Sequence, residues 1–125
     1  IIMGHLDTFP DMNVVKEIAE TGANLEYDKF GSEDTGLGAA RDQPLIFPSD
    51  VQRMQRVEQL IEWGYESQIV IAHDVCFKTD LTSHGGKGYA HILESIVPRM
   101  RKRGFSTENI DNILIENPKR ILTFT

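Results

Sequence analysis

Two apolar runs in this chain end in ionisable groups. "IIMGHLD" carries Ile1, Ile2 and Met3 into His5 and Asp7, and "IVIAHDVC" carries residues 69–72 into His73 and Asp74. A third run, "ANLEYDK", ends in Asp28 and Lys29. Ionisable groups beside segments fit for burial need partners, because desolvating them alone is costly. A divalent metal ion asks for neutral imidazole nitrogens and carboxylate oxygens gathered from separate strands. His5 and Asp74 are therefore the leading candidates for metal ligands, set against the plainer reading in which both merely cap strand ends. His73 neighbours Asp74, so on a strand its side chain points the other way, towards a packing or supporting role. Asp7 could orient an imidazole or cap the following turn. Lys29 stands where a cation could meet an anionic substrate group, although a solvated lysine is the commoner case.

The elements that must position these residues alternate along the chain. After the first apolar run, Asp11 can cap a helix that places Val14, Val15, Ile18 and Ala19 on one face, with Gly22 as its stop. Residues 23–28 read as a short strand. Residues 30–48, rich in Gly, Asp, Ser and Pro, read as a long loop of functional length. Ser49 caps a helix that turns Val51, Met54, Val57, Leu60 and Ile61 inward and ends at Gly64. The strand 69–74 follows, then the glycine-rich connection "FKTDLTSHGGKGYAH". Its "HGGKGYAH" lacks nucleotide-binding spacing and reads as a mobile lid. His84 and His91 within it are surface or packing residues. The helix "ILESIVPRMRKR" is kinked or divided at Pro98. Gly104 ends it, Ser106 caps a further helix, and Asn117–Pro118 opens a short terminal one.

Strand–helix alternation of this kind is the pattern of parallel βαβ units. All strand C-termini then share one edge, where His5, Asp28 and Asp74 emerge and where such sheets carry their chemistry.

The 125 residues suffice for one core, with 40% hydrophobic and 26% charged residues typical of a globular domain. A net charge of −6 argues against nucleic acid as a partner, and no apolar run approaches a membrane span. One cysteine, Cys76, forms no internal disulfide, so a reducing, cytoplasmic setting is expected. The first residue already reads as mid-strand and is not Met, which points to the C-terminal part of a longer protein.

The segments "GHLD", "LEYDKFG", "IVIAHDVCFKTDL", "GGKGYAHIL" and "ILIENPKRILTF" together resemble the phosphotriesterase family of the amidohydrolase superfamily, specifically the C-terminal part of its phosphotriesterase-related members. The resemblance runs the length of the chain. It implies a TIM (β/α)8 barrel with two divalent metals, usually zinc, at the strand C-termini. Residues 1–125 would then be a single partial domain, an α/β fragment holding strand units six to eight and the terminal helices. His5 matches the family's sixth-strand metal histidine. Asp74 matches its eighth-strand aspartate, which binds metal and handles a proton. Lys29 falls where relatives vary the substrate pocket. The family's first-strand His-x-His pair, fourth-strand lysine and fifth-strand histidine are absent with their strands. A barrel takes ~250 residues, so activity is expected of the parent protein and not of this chain alone.

The expected chemistry is hydrolysis by a hydroxide shared between two metals, with Asp74 as proton acceptor. A small-molecule ester, lactone or N-acyl amide ranks ahead of a phosphotriester, because barrel specificity lives in variable loops. The expected partners are that substrate and the remaining N-terminal barrel strands, with a homodimer left open. Two rivals stand beside this reading. One is a non-catalytic, partner-binding relative of the barrel; the other is a small stand-alone α/β domain whose "HGGKGYAH" binds an anion.

Overall fold

Three short strands lie side by side in chain order and all parallel: β1 (Ile2–Met3), β2 (Asn24–Tyr27) and β3 (Ile69–Ile71). The computed structural model describes residues 1–32 and 48–123; most of the loop expected at 30–48 lies outside the described residues. Parallel order is what the alternating sequence predicted. The strands are shorter than the apolar runs, because β1 stops before His5 and β3 before Ala72. The ladder continues a little further through Ala72 N–H to Tyr27 O (3.0 Å) and Phe30 N–H to Ala72 O (3.2 Å).

Register settles the faces. Leu25 pairs with Ile69 and Tyr27 with Ile71, while Glu26 pairs with Val70. Side chains of paired residues share a face, so Leu25, Tyr27, Ile69 and Ile71 point one way and Glu26 and Val70 the other. The first face joins a core with Val15, Ala19, Met54, Val57, Leu60, Ile96, Met100 and Ile113. Ile1, Ile2 and Met3 are exposed along the free edge of β1, the bare apolar border expected of an unpaired edge strand.

Helix α1 (Met12–Glu20) starts where Asp11 accepts the Asn13 amide (2.9 Å) and ends before Gly22, whose φ of 81° suits a residue without Cβ. Val15 and Ala19 are buried, but Val14 sits at the exposed margin of that face. Helix α2 (Asp50–Glu62) opens with a reciprocal capping box between Ser49 and Gln52. Val51, expected inside, is 45% exposed. Position 51 lies in the helix's first turn, on the side away from the core, and the inward position two residues on belongs to Arg53, fully buried.

Both C-terminal prolines follow a widened turn. A proline ring inside an α-helix collides with the carbonyl four residues earlier and lacks the N–H to bond it. Ahead of Pro98 the chain forms a π turn, Ile92–Ile96, closed by Val97 N–H to Ile92 O, and then α3 (Val97–Arg103). Ahead of Pro118 the same happens: α4 (Thr107–Asp111) passes through a π turn, Asn112–Glu116, into α5 (Asn117–Leu122). The last helix is thus a continuation, where the sequence suggested a fresh start. The buried Asn117 amide donates to Ile69 O (2.8 Å) and Glu66 O (2.9 Å), tying this helix to the beginning of β3. None of the described helices is long and apolar enough to cross a membrane.

Candidate metal and substrate site at the strand ends

Where β1 ends, His5 turns the chain with φ 58°, and Asp74 does the same past β3 with φ 48°. Such left-handed backbone is uncommon for residues bearing a Cβ and concentrates at functional sites. The His5 Nδ1 lies 2.9 Å from Asp28 Oδ2 and 3.0 Å from Oδ1, and the His5 amide donates to Asp28 Oδ2 at 3.2 Å. The carboxylate therefore receives the Nδ1 proton. That contact does not use Nε2, and the side chain is 60% exposed.

Asp28 is itself placed by a buried chain of charges. Its amide donates to Asp7 Oδ2 (2.8 Å), and Arg53 Nε donates to Asp7 Oδ1 (2.6 Å). Arg53 continues to Asp50 Oδ1 (3.0 Å) and Ser32 O (2.7 Å). Asp50 accepts the Gly31 amide (2.9 Å) and meets His91 Nε2 (2.8 Å). Burial pushes the Asp7 carboxyl upward against the pull of Arg53. For Asp50 burial is outweighed: the Gly31 amide, His91 and Arg53 hold its carboxyl below the ordinary value. The network binds the ends of β1 and β2 to the start of α2 and to the loop before the Ile92–Ile96 turn.

The candidates separate accordingly. Asp7 touches no imidazole; it holds Arg53 and the Asp28 backbone, and the residue that orients His5 is Asp28. Lys29 is ion-paired with Asp74. His73 Nε2 accepts the Ile92 amide (2.9 Å), so its ring is neutral with the proton on Nδ1. Burial, and then His91 with ring centroids 6.5 Å apart, push its pKa down. His91 is a buried packing residue bonded to Asp50, and His84 is exposed beside Ser83.

Two residues escaped the sequence reading. One is Glu26, whose carboxyl is pushed upward first by burial and next by Asp28. Gly4 makes room: a Cβ there would lie 3.0 Å from Glu26 Oε2 and 3.5 Å from Asp28 Oδ2. Period-two spacing from Asp28 could have found Glu26. Nothing local marks Arg53, whose partner Asp7 lies 46 residues away.

Among the described residues no three His, Cys, Asp or Glu side chains converge to hold a metal ion. His5 through Nε2 and Asp74 through its carboxylate are suitable donors, but they leave a coordination shell incomplete.

The open sheet of parallel βα units, with histidine and aspartate past its strand ends, is part of a TIM-barrel fold. Residues 1–122 match the profile of the Phosphotriesterase family, and the chain belongs to that family. It is 48% identical over 124 residues to an N-acetyltaurine hydrolase of Dictyostelium discoideum, covering 98% of this chain and 33% of the relative. The corresponding proteins of Salmo salar (49%) and Homo sapiens (45%) are each covered to 35% of their length, again with 98% of this chain. The chain thus spans about a third of the curated relatives it matches. Among solved structures it superposes on a resiniferatoxin-binding protein from Rhodobacter sphaeroides with a TM-score of 0.87 and 30% identity, over 96% of this chain and 33% of that one. The phosphotriesterase homology protein from Escherichia coli (TM-score 0.78, 24% identity, 95% and 37% coverage) shares the fold.

Proposed function

We propose that this chain supplies three strands of a metal-dependent hydrolase that cleaves a small N-acyl amide, with N-acetyltaurine as the reference substrate. Identity of 45–49% to N-acetyltaurine hydrolases across 98% of the chain carries the reading. His5 and Asp74 would each hold a divalent metal, zinc or a relative of it, with the remaining ligands on the strands that would close the barrel between the free edges of β3 and β1. Bound there, divalent metal acidifies water and polarises the scissile carbonyl. Asp28 fixes the His5 ring and its tautomer, as carboxylates behind metal-bound histidines do. Asp74 accepts the proton of the attacking water and passes it to the leaving amine, general acid–base work by a positioned carboxylate. Lys29 is the ion-pair partner of Asp74. The amide bond is cut to acetate and a free amine.

The test is a comparison of initial rates on N-acetyltaurine, a simple ester, a lactone and a phosphotriester, using the complete metal-loaded protein. The amide should give the highest kcat/KM; a phosphotriester preferred over it would overturn the substrate assignment. The orienting role of Asp28 has its own test. Asp28→Asn should weaken metal affinity about 10–100-fold, read by competition with a chelator. Unchanged affinity would detach His5 from the metal.

A further inference from the structure

Past the ends of β2 and β3 opens a cavity of about 250 Å3 whose walls include Lys29, Asp74 and the glycine-rich loop at 85–88. A second cation, Lys87, reaches it from that loop. The two lysines differ in their partners. Lys29 is paired with Asp74, whereas Lys87 has no ion pair or hydrogen bond among the described residues.

Within the loop that carries Lys87 the glycines serve close approach of the connection to itself. Gly86 N–H bonds Leu81 O (3.0 Å) and Gly88 N–H bonds Asp80 O (2.8 Å). A Cβ on Gly86 would lie 2.1 Å from the Asp80 carbonyl carbon, an overlap that only glycine avoids. The Lys87 stem lies close to Gly31, with Cβ and Cγ 3.1 and 3.2 Å from where a side chain there would begin. The acidic groups of the wall are already engaged. Asp80 accepts the amides of Cys76 (3.1 Å) and Phe77 (2.8 Å), and Asp74 holds Lys29. An ammonium without a partner among the described residues, lining the same cavity as the carboxylate assigned the proton transfer, is a receptor for an anion attached to the substrate.

We propose that this cavity selects N-acyl amides whose amine half carries an anion, with Lys87 binding a sulfonate or carboxylate at the end of a short arm. The inference rests on the amide-hydrolase reading and adds the residue that sets its specificity. Three amides separate the cases in the complete metal-loaded protein. N-acetyltaurine carries the sulfonate, N-acetyl-β-alanine a carboxylate on an arm of the same length, and N-ethylacetamide no charge. Lys87→Met should lower the ratio of kcat/KM for N-acetyltaurine over N-ethylacetamide about tenfold or more. Lys87→Arg should restore most of that ratio, and Lys87→Gln serves as a second neutral variant. The β-alanine amide shows whether carboxylate shares the site. A ratio left unchanged in both neutral variants overturns the proposal. Should the wild type cleave none of the three amides, the hydrolase reading fails by itself, and binding of ethanesulfonate decides the cavity. Binding to the wild type that weakens about tenfold in Lys87→Met supports the anion site; no binding, or equal binding, overturns it.

Discussion

Asp74→Asn in the complete protein is expected to lower turnover by about 10²–10⁴. Asparagine keeps the shape of the side chain and an oxygen that can still weakly ligate a metal, but it loses the negative charge and the capacity to take a proton. Added zinc should therefore restore metal occupancy more readily than rate. The left-handed backbone at position 74 (φ 48°) is tolerated by asparagine, so the substitution tests chemistry and not the turn. Loss of the Lys29 pairing adds little, because that pair is partly exposed and such pairs are worth about 1 kcal/mol or less. His73→Asn should cost far less turnover, since its ring binds the Ile92 amide (2.9 Å) and not the reacting groups. Turnover and bound metal measured together on both variants decide the matter. Near-normal turnover in Asp74→Asn would remove it from the mechanism.

Arg53→Met is expected to be the most destabilising single change, by about 3–5 kcal/mol. The guanidinium is fully buried and is the counter-ion to two buried carboxylates, Asp7 and Asp50. Methionine fills much of the volume, yet it removes the counter-charge from both, although Asp7 keeps the Asp28 amide and Asp50 keeps the Gly31 amide and His91. Arg103→Met offers the contrast. Its pair with Glu58 (2.6 Å) is about one-third exposed on each side, and breaking it should cost about 1 kcal/mol. Adding Asp7→Asn to Arg53→Met should recover part of the loss, because the cost comes from the abandoned charge. Denaturant unfolding of the three variants measures this. A loss for Arg53→Met no larger than that for Arg103→Met would mean the network contributes no more than a surface pair.

How much of this was legible follows the range of the interactions. The three parallel strands and their order were readable, because each is a local apolar run separated by a capped amphipathic helix. The caps at Asp11, Ser49 and Ser106 were readable for the same reason, since a side chain and an amide two or three residues apart leave a local signature. The resemblance to a known family favoured His5 and Asp74 as metal ligands, where their position alone left strand capping as an alternative. The Arg53 network was not readable. Its bonds join residues 3 to 46 positions apart, and a lone arginine among apolar residues ordinarily faces water. The role of the glycines at 85–88 was not readable, because glycine marks both freedom and close approach. Only the Asp80 carbonyl beside Gly86 tells which.

Metal stoichiometry bears most directly on the central claim that these strand ends hold catalytic metal. Elemental analysis of the complete protein, after exhaustive dialysis, should find two divalent metals per chain. His5→Ala should retain about one or fewer, with amide hydrolysis lost in parallel and regained by neither zinc nor time. A wild type that carries no metal yet hydrolyses the amide, or a His5→Ala variant that keeps both metals and full rate, would contradict it.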